Sequence, residues 1–124
     1  MILGIDYGRK KMGLAKADSS LAEPFTVLHY RSTDEMFTKL LKIINSLELD
    51  KIIVGVSEGA MAFEIRNFIK ALEKQVNITI EEFDETLTSF DARQLSKHKS
   101  RKSRREREDA YAAALMLQGY LDNL

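Results

Sequence analysis

Acidic side chains stand at three places in this chain where the hydrophobic pattern gives little reason for them. Asp6 ends the opening apolar run, and Asp84 and Glu85 end a later one. Asp109 opens the final, alanine-rich segment. Carboxylates that converge from separate elements repel one another, and a hard divalent cation relieves that repulsion. Since the chain has no cysteine and only two histidines, we expect Mg²⁺ or Mn²⁺ rather than zinc.

A pair of such cations about 3.5–4 Å apart can activate a water molecule and stabilise the leaving oxygen of a phosphodiester. Each acid also has an ordinary structural interpretation. Asp6 could end a strand or form a turn, Asp84 could form a turn or cap a helix, and Asp109 could be a first-turn acid favoured by the helix dipole. The metal interpretation is favoured because one mechanism accounts for all three places.

A basic segment directly precedes Asp109. Positions 97–107 carry seven Lys or Arg residues against a single acid, Glu106, in a chain whose formal net charge is zero. This asymmetry predicts a localised contact with a polyanion such as the backbone of a nucleic acid. A solvated loop is the alternative interpretation. The predicted substrate-binding residues lie in this segment and in the first turn of the chain: Gly8, Lys10, Lys11, Lys99, Arg101, Lys102, Arg104 and Arg105.

The composition indicates an ordinary soluble globular protein, with 44% hydrophobic and 31% charged residues. A chain of 124 residues is long enough for one domain, 1–124, with its own hydrophobic core. No apolar run approaches the length of a membrane span, and no signal-peptide core follows the early basic residues. We therefore expect a cytoplasmic protein.

Hydrophobic periodicity divides the chain into strands and helices. Residues 1–5, 12–17 and 25–30 are predicted strands joined by short turns, which indicates an antiparallel meander. A helix capped by Ser32, Thr33 or Asp34 follows and ends near Leu47. The remaining predicted elements are a buried strand at 49–56, a helix at 61–76, a strand at 77–83, a short helix at 89–95, a mobile basic loop or frayed helix start at about 96–108, and a last helix at 110–124.

This order predicts an α/β fold of RNase H-like type. Its mixed five-stranded sheet would have three antiparallel strands followed by parallel strands, with helices on both faces. In the last helix, Asp109 shares a face with small and apolar residues: Ala112, Ala113, Met116 and Tyr120. We expect that face to lie tightly on the sheet and to direct Asp109 toward the strand ends.

Five segments, in order along nearly the whole chain, resemble the YqgF (RuvX) family, whose members are regarded as Holliday junction resolvases and as pre-16S rRNA nucleases. Residues 4–15 are similar to the family's opening GIDxGxxxxGxA motif, and residues 23–24 to the turn after it. Residues 53–55 match the central strand, and residues 84–88 resemble the DERLT segment. Residues 108–121 resemble the closing DxxAAxxxLQxYL helix. Each motif is short, but five in register are specific.

The resemblance implies a metal-dependent endonuclease that hydrolyses phosphodiester bonds in structured nucleic acid, most consistent with processing of the pre-16S rRNA end. The implied catalytic residues are Asp6, Asp84, Glu85 and Asp109. The implied metal ligands are Asp6, Glu85 and Asp109, with the choice between Asp84 and Glu85 left open. The alternatives are a Holliday junction resolvase, which normally needs a two-fold dimer, and a catalytically weak nucleic-acid-binding domain of the same fold. Both a monomer and a homodimer agree with the sequence.

Two positions depart from the family pattern. Thr86 stands where the family has an arginine, which removes a cation that could pair with a phosphate or a carboxylate. The segment after the central strand is shortened to residues 57–60, which makes Glu58 a candidate replacement ligand. Neither departure touches the acids at positions 6, 84, 85 and 109.

Overall fold

The structure is a computed structural model that describes residues 1–84 and 101–124, with the backbone alone for 101–108. Five strands form one sheet in the order β3-β2-β1-β4-β5. The strands are β1 (Ile2–Asp6), β2 (Lys11–Ala17), β3 (Ala22–His29), β4 (Lys51–Val56) and β5 (Thr79–Asp84). The helices are α1 (Thr33–Ser46), α2 (Ala60–Glu73) and α3 (Arg101–Asp122).

The strand directions confirm the predicted mixed sheet. β1 pairs with β2 and β2 with β3 in antiparallel fashion, whereas β1 pairs with β4 and β4 with β5 in parallel. The parallel strands β1, β4 and β5 therefore end at the same edge of the sheet. Two acids lie at that edge, Asp6 at the end of β1 and Asp84 at the end of β5.

Strand alternation divides the hydrophobic core between the two faces of the sheet. Leu3 and Ile5 of β1 belong to the cluster that includes residues of α1 and α2, such as Leu40 and Phe68. The cluster on the other face joins small residues of β2 to the last helix. Its members are Ala15, Ala17, Ile53, Phe83, Ala113, Ala114, Met116, Leu117 and Tyr120.

Glycine lets α3 approach the sheet closely. A Cβ atom at Gly13 of β2 would overlap with the backbone carbonyl oxygen of Asp109, and a Cβ atom at Gly4 of β1 would lie 3.0 Å from the Cβ of Leu117. The helix thus rests on bare backbone at these two positions, as the small, apolar face of the last helix predicted.

The last helix begins earlier than the sequence indicated. The backbone is helical from Arg101, so the predicted mobile loop is wrong over 101–108, where the alternative of a helix start describes the chain better. Lys, Arg and Glu have good intrinsic helix propensity, which a search for apolar periodicity does not register. Residues 96–100 and the predicted short helix at 89–95 lie outside the described residues.

The other boundaries agree more closely with the predictions. Ser32 is the cap of α1, and its hydroxyl accepts a hydrogen bond from the backbone N–H of Glu35 at 3.1 Å. β3 begins three residues before the predicted start and includes Pro24, which an edge strand tolerates because one side of its backbone has no strand partner. Within the described part of the chain, no helix is long and apolar enough to cross a membrane.

We expect Gly13→Ala to lower the free energy of unfolding by about 1–3 kcal/mol, the usual cost of forcing an extra methyl group into a packed site. The new methyl would meet backbone, which cannot rotate away. Gly4→Ala is the graded control, because its methyl would meet the Leu117 side chain and should cost less. Urea denaturation of both variants measures the difference, and a Gly13→Ala variant as stable as the parent would contradict the close approach.

Candidate active site

Asp6 lies on the face of the sheet that α3 covers. Gly4 faces Leu117 of that helix, and Asp6 follows Gly4 by two residues in the same strand, so alternation puts both on one side. The antiparallel partner of Asp6 is Gly13. Directly opposed residues in such a pair have their side chains on the same face, so Asp6 stands beside the glycine against which α3 packs.

Asp109 reaches the same place from the helix. Its backbone carbonyl lies against Gly13, and its side chain is 30% exposed. A carboxylate oxygen of Asp109, Oδ2, lies 2.8 Å from the Nζ atom of Lys11, the first residue of β2. The structure therefore brings together the first and the last predicted acid, with a lysine ammonium group between β2 and the helix.

Asp84 lies on the other face of the sheet. Its parallel partner is Val56, which belongs to the core cluster beneath α1 and α2. The preceding alternate residue, Glu82, pairs with Arg66 of α2 at 3.0 Å, as this alternation requires. Asp84 is exposed and lines an open cavity of about 440 Å³ at the start of α2, together with Glu58 and Arg66. Glu85 and Thr86 lie outside the described residues.

The turn between β1 and β2 is held from several sides. The hydroxyl of Tyr30 donates a hydrogen bond to the carbonyl oxygen of Gly8, and the backbone N–H of Tyr30 donates to the carbonyl oxygen of Lys10 at 3.0 Å. The Tyr7 ring packs on Phe68 of α2, with 4.9 Å between centroids. Burial raises the pKa of Tyr30 and, less strongly, that of Tyr7, so both hydroxyls stay protonated at neutral pH.

A second anchor of this turn is the guanidinium group of Arg9. Its Nε donates to both carboxylate oxygens of Glu64 in α2, at 3.0 and 3.1 Å. The space that a Cβ would take at Gly8 is occupied by the Lys11 carbonyl oxygen, 2.5 Å from the ideal Cβ position. Gly8 is therefore needed for the packing of the turn itself, whereas the sequence suggested only an open floor for a phosphate.

The predicted basic residues are described unevenly. Lys10 and Lys11 are exposed at the turn beside Asp6. Positions 101, 102, 104 and 105 are in the first two turns of α3, with backbone alone described, and Lys99 lies outside the described residues.

The described carboxylates have the right chemistry for a hard cation, but they supply only part of the predicted ligand set. Asp6 and Asp109 offer oxygen donors on one face of the sheet, as Mg²⁺ and Mn²⁺ require. Among residues 1–84 and 109–124, no three histidine or acidic side chains come close enough to hold a metal ion together. The donors present fit such a cation, and a third would have to come from the residues between 84 and 101.

Sequence reasoning missed two features of this site. Tyr30 was assigned only to the end of a strand, although a buried tyrosine after a polar turn is a candidate partner for that turn. Lys11 was assigned to phosphate binding, and its ion pair with Asp109 was not foreseen. The two residues are far apart in the sequence, and no local pattern connects them.

We expect Tyr30→Phe to lower the free energy of unfolding by about 1 kcal/mol, since it removes one hydrogen bond to a partly buried carbonyl. Tyr7→Phe is the matched control, because Tyr7 contacts its neighbour through the ring and should change stability less. The folded pKa of Tyr30 is raised above its unfolded value of about 10, so its contribution is present below pH 10 and is lost as the pH rises further. The parent should therefore lose stability above pH 10 more steeply than Tyr30→Phe, and parallel curves in denaturant titrations would contradict this role.

Comparison with known proteins agrees with the sequence motifs. Residues 1–123 match the RuvX family model, which is described as a Holliday junction resolvase. A protein of Natranaerobius thermophilus, provisionally named a pre-16S rRNA nuclease, is 39% identical and covers 98% of this chain and 93% of its own length. A protein of an Anaeromyxobacter species with the same name is 35% identical, with 97% and 95% covered.

A solved structure shares the fold. Thermus thermophilus RuvC in complex with a Holliday junction substrate aligns with a TM-score of 0.62, covering 98% of this chain and 94% of that one. At 14% sequence identity this likeness concerns the fold alone, which is RNase H-like. Because the family model spans nearly every residue and the relatives exceed 30% identity over nearly all of the chain, this protein belongs to the RuvX family.

Proposed function

We propose that this protein is a cytoplasmic, metal-dependent endonuclease that cleaves phosphodiester bonds in structured nucleic acid, with the pre-16S rRNA end as its substrate. The observation that carries the proposal is the meeting of Asp6 and Asp109 on the α3 face, beside the exposed Lys10 and Lys11. Acids on a sheet edge with lysines around them suit a negatively charged backbone cut with the help of a cation. The substrate is taken from the provisional name of the relatives.

Glu85 is proposed as the third acid of the site. The support is indirect: Asp84 stands on the α2 face with Val56 and Glu82, so the residue after it has the opposite parity if the strand alternation continues. That parity would direct Glu85 to the face of Asp6 and Asp109. Asp84 would then take part only in the cavity at the start of α2.

In this proposal Asp6, Glu85 and Asp109 hold the cation through their carboxylate oxygens. When bound, a divalent ion would lower the pKa of a water molecule and offset the charge that develops on the phosphate. The protein itself contributes position, because Asp6 ends a central strand and Asp109 is fixed against Gly13. The turn anchored by Tyr30 keeps Lys10 and Lys11 beside these acids.

The basic start of α3 is proposed as the track for the nucleic-acid backbone. Positions 102 and 105 precede Asp109 by seven and four residues in one continuous helix, which puts them on the same side of the helix axis. Positions 104 and 107 fall on the opposite side by the same spacing. Phosphates near the acids would therefore meet Lys102 and Arg105 first.

The reaction is tested by incubating the full chain with a pre-16S rRNA fragment and with a four-way DNA junction, each with Mg²⁺ or Mn²⁺. Asp6→Asn and Glu85→Gln should slow cleavage by a factor on the order of 100 or more, because each removes a ligand of the cation. Asp84→Asn is the matched control and should slow it by less than about tenfold, since it lies on the other face.

The outcomes discriminate between the candidate activities. Cleavage of the rRNA fragment alone supports the proposal, and cleavage of the junction alone would assign the chain the activity in the description of its family model. Binding without cleavage of either substrate would make it a nucleic-acid-binding domain, as the loss of the family arginine at Thr86 allows. If Asp84→Asn and Glu85→Gln exchanged their effects, the assignment of the third acid would be wrong.

The basic track is tested by a pair of double variants on the same helix. Lys102→Ala with Arg105→Ala should weaken binding of the rRNA fragment and reduce the slope of log affinity against log salt by about 0.7–0.9 for each phosphate that is no longer neutralised. Arg104→Ala with Arg107→Ala removes the same charge from the other side of the helix and should retain the parental slope. Filter binding across a salt series measures both, and equal effects of the two pairs would show that only total charge matters.

A further inference from the structure

The ion pair between Lys11 and Asp109 joins the start of β2 to the helix that carries the acidic site. Lys11 Nζ lies 2.8 Å from Asp109 Oδ2, with side chains 47% and 30% exposed. An ammonium group is thus in contact with one of the two described carboxylates that would hold a divalent cation. The same carboxylate oxygen cannot serve both positive charges without bringing them close together, where they repel.

The fold gives Lys11 this position. Gly8 packs against the carbonyl oxygen of Lys11, and Tyr30 holds the neighbouring residue through its backbone hydrogen bond to Lys10. Lys11 also has the strand parity of Gly13, two residues later, and so lies on the α3 face. Lys10, by contrast, is an exposed turn residue without that parity.

We propose that Lys11 is an internal counter-ion of the acidic site: its ammonium group holds the Asp109 carboxylate in the metal-free protein and competes with a divalent cation for it. Once displaced, the ammonium group is available to a phosphate of the bound nucleic acid beside the same acids. This inference rests on the proposed function, since it assigns Asp109 to a cation.

The exposure of the pair is what makes the exchange feasible. An ion pair between partly exposed side chains is weak, so a divalent cation can displace the lysine at modest cost. A paired carboxylate is also neutralised while no metal is bound, which limits the repulsion between Asp109 and Asp6. A purely structural salt bridge would hold the start of α3 equally well but would not respond to metal.

Direct titration of Mn²⁺ into the full chain by calorimetry tests the competition without any cleavage. Lys11→Met should lower the Mn²⁺ dissociation constant roughly two- to fivefold, the factor expected for removal of a weak competing ion pair. Lys11→Arg keeps the charge and should bind Mn²⁺ like the parent or more weakly. Lys10→Met removes one charge from the same turn and should leave the constant unchanged. Mn²⁺ affinity in Lys11→Met that equals or falls below that of Lys10→Met overturns the proposal.

The release of Lys11 to a phosphate is tested by the salt dependence of binding to the rRNA fragment. With Ca²⁺ present, Lys11→Met should reduce the slope of log affinity against log salt by about 0.7–0.9, the value for one neutralised phosphate. With EDTA present the slope should equal that of the parent, because Lys11 then remains on Asp109. An equal reduction in both conditions, or a reduction in neither, contradicts the release of Lys11. Melting temperatures of all variants establish that they are folded, and Lys11→Gln replaces Lys11→Met if the latter is not.

Different results reject the counter-ion role and the nuclease activity. A parent that cleaves its substrate while Lys11→Met binds Mn²⁺ unchanged rejects the counter-ion role alone. A parent that binds Mn²⁺, tightens in Lys11→Met and cleaves neither substrate rejects the nuclease and retains the counter-ion. A parent that binds no Mn²⁺ rejects the counter-ion whatever it cleaves.

Discussion

The close approach of α3 to the sheet at Gly13 is the constraint on which the candidate site depends. Gly13 is the strand partner of Asp6 and lies against the backbone of Asp109, so the absence of one side chain brings two acids from the ends of the chain together. Any larger residue at this position would push the helix outward and carry Asp109 with it. A packing requirement in the interior and the geometry of the site are therefore the same requirement.

The electrostatics of the site follow from that geometry. Two carboxylates placed side by side on a sheet edge would repel each other, and the described structure sets the ammonium group of Lys11 against one of them. The turn that carries Lys11 is itself anchored on both sides, to α2 through Arg9 and Glu64 and to the end of β3 through Tyr30. Positive charge is thus delivered to the acids by a rigid turn, whereas the basic start of α3 supplies charge over a longer stretch.

Much of the fold could be predicted because the relevant signals are local. Alternation in the strands and the small, apolar face of the last helix are both visible in short windows, and they led to the mixed sheet and the tightly packed α3. The choice between Asp84 and Glu85 was not accessible, because parity at a strand end depends on register with a distant strand, here the pairing of Val56 with Asp84. The Lys11–Asp109 pair was missed for the same reason. The early start of α3 was missed because a charged segment has no apolar period.

The far end of α3 explains how its first turns can carry charge without losing their place. The Tyr120 hydroxyl donates to Glu81 at 2.9 Å and accepts from Lys51 at 3.0 Å, and the Gln118 side chain bonds the backbone of Ala22 and Ser20. The hydrogen bond from Lys51 holds the pKa of Glu81 below its ordinary range, so the carboxylate stays charged. Anchored there and resting on glycine at Asp109, the helix does not need apolar residues in its first eight positions. That part of the chain is then available for basic residues, which a packed helix start could not accommodate.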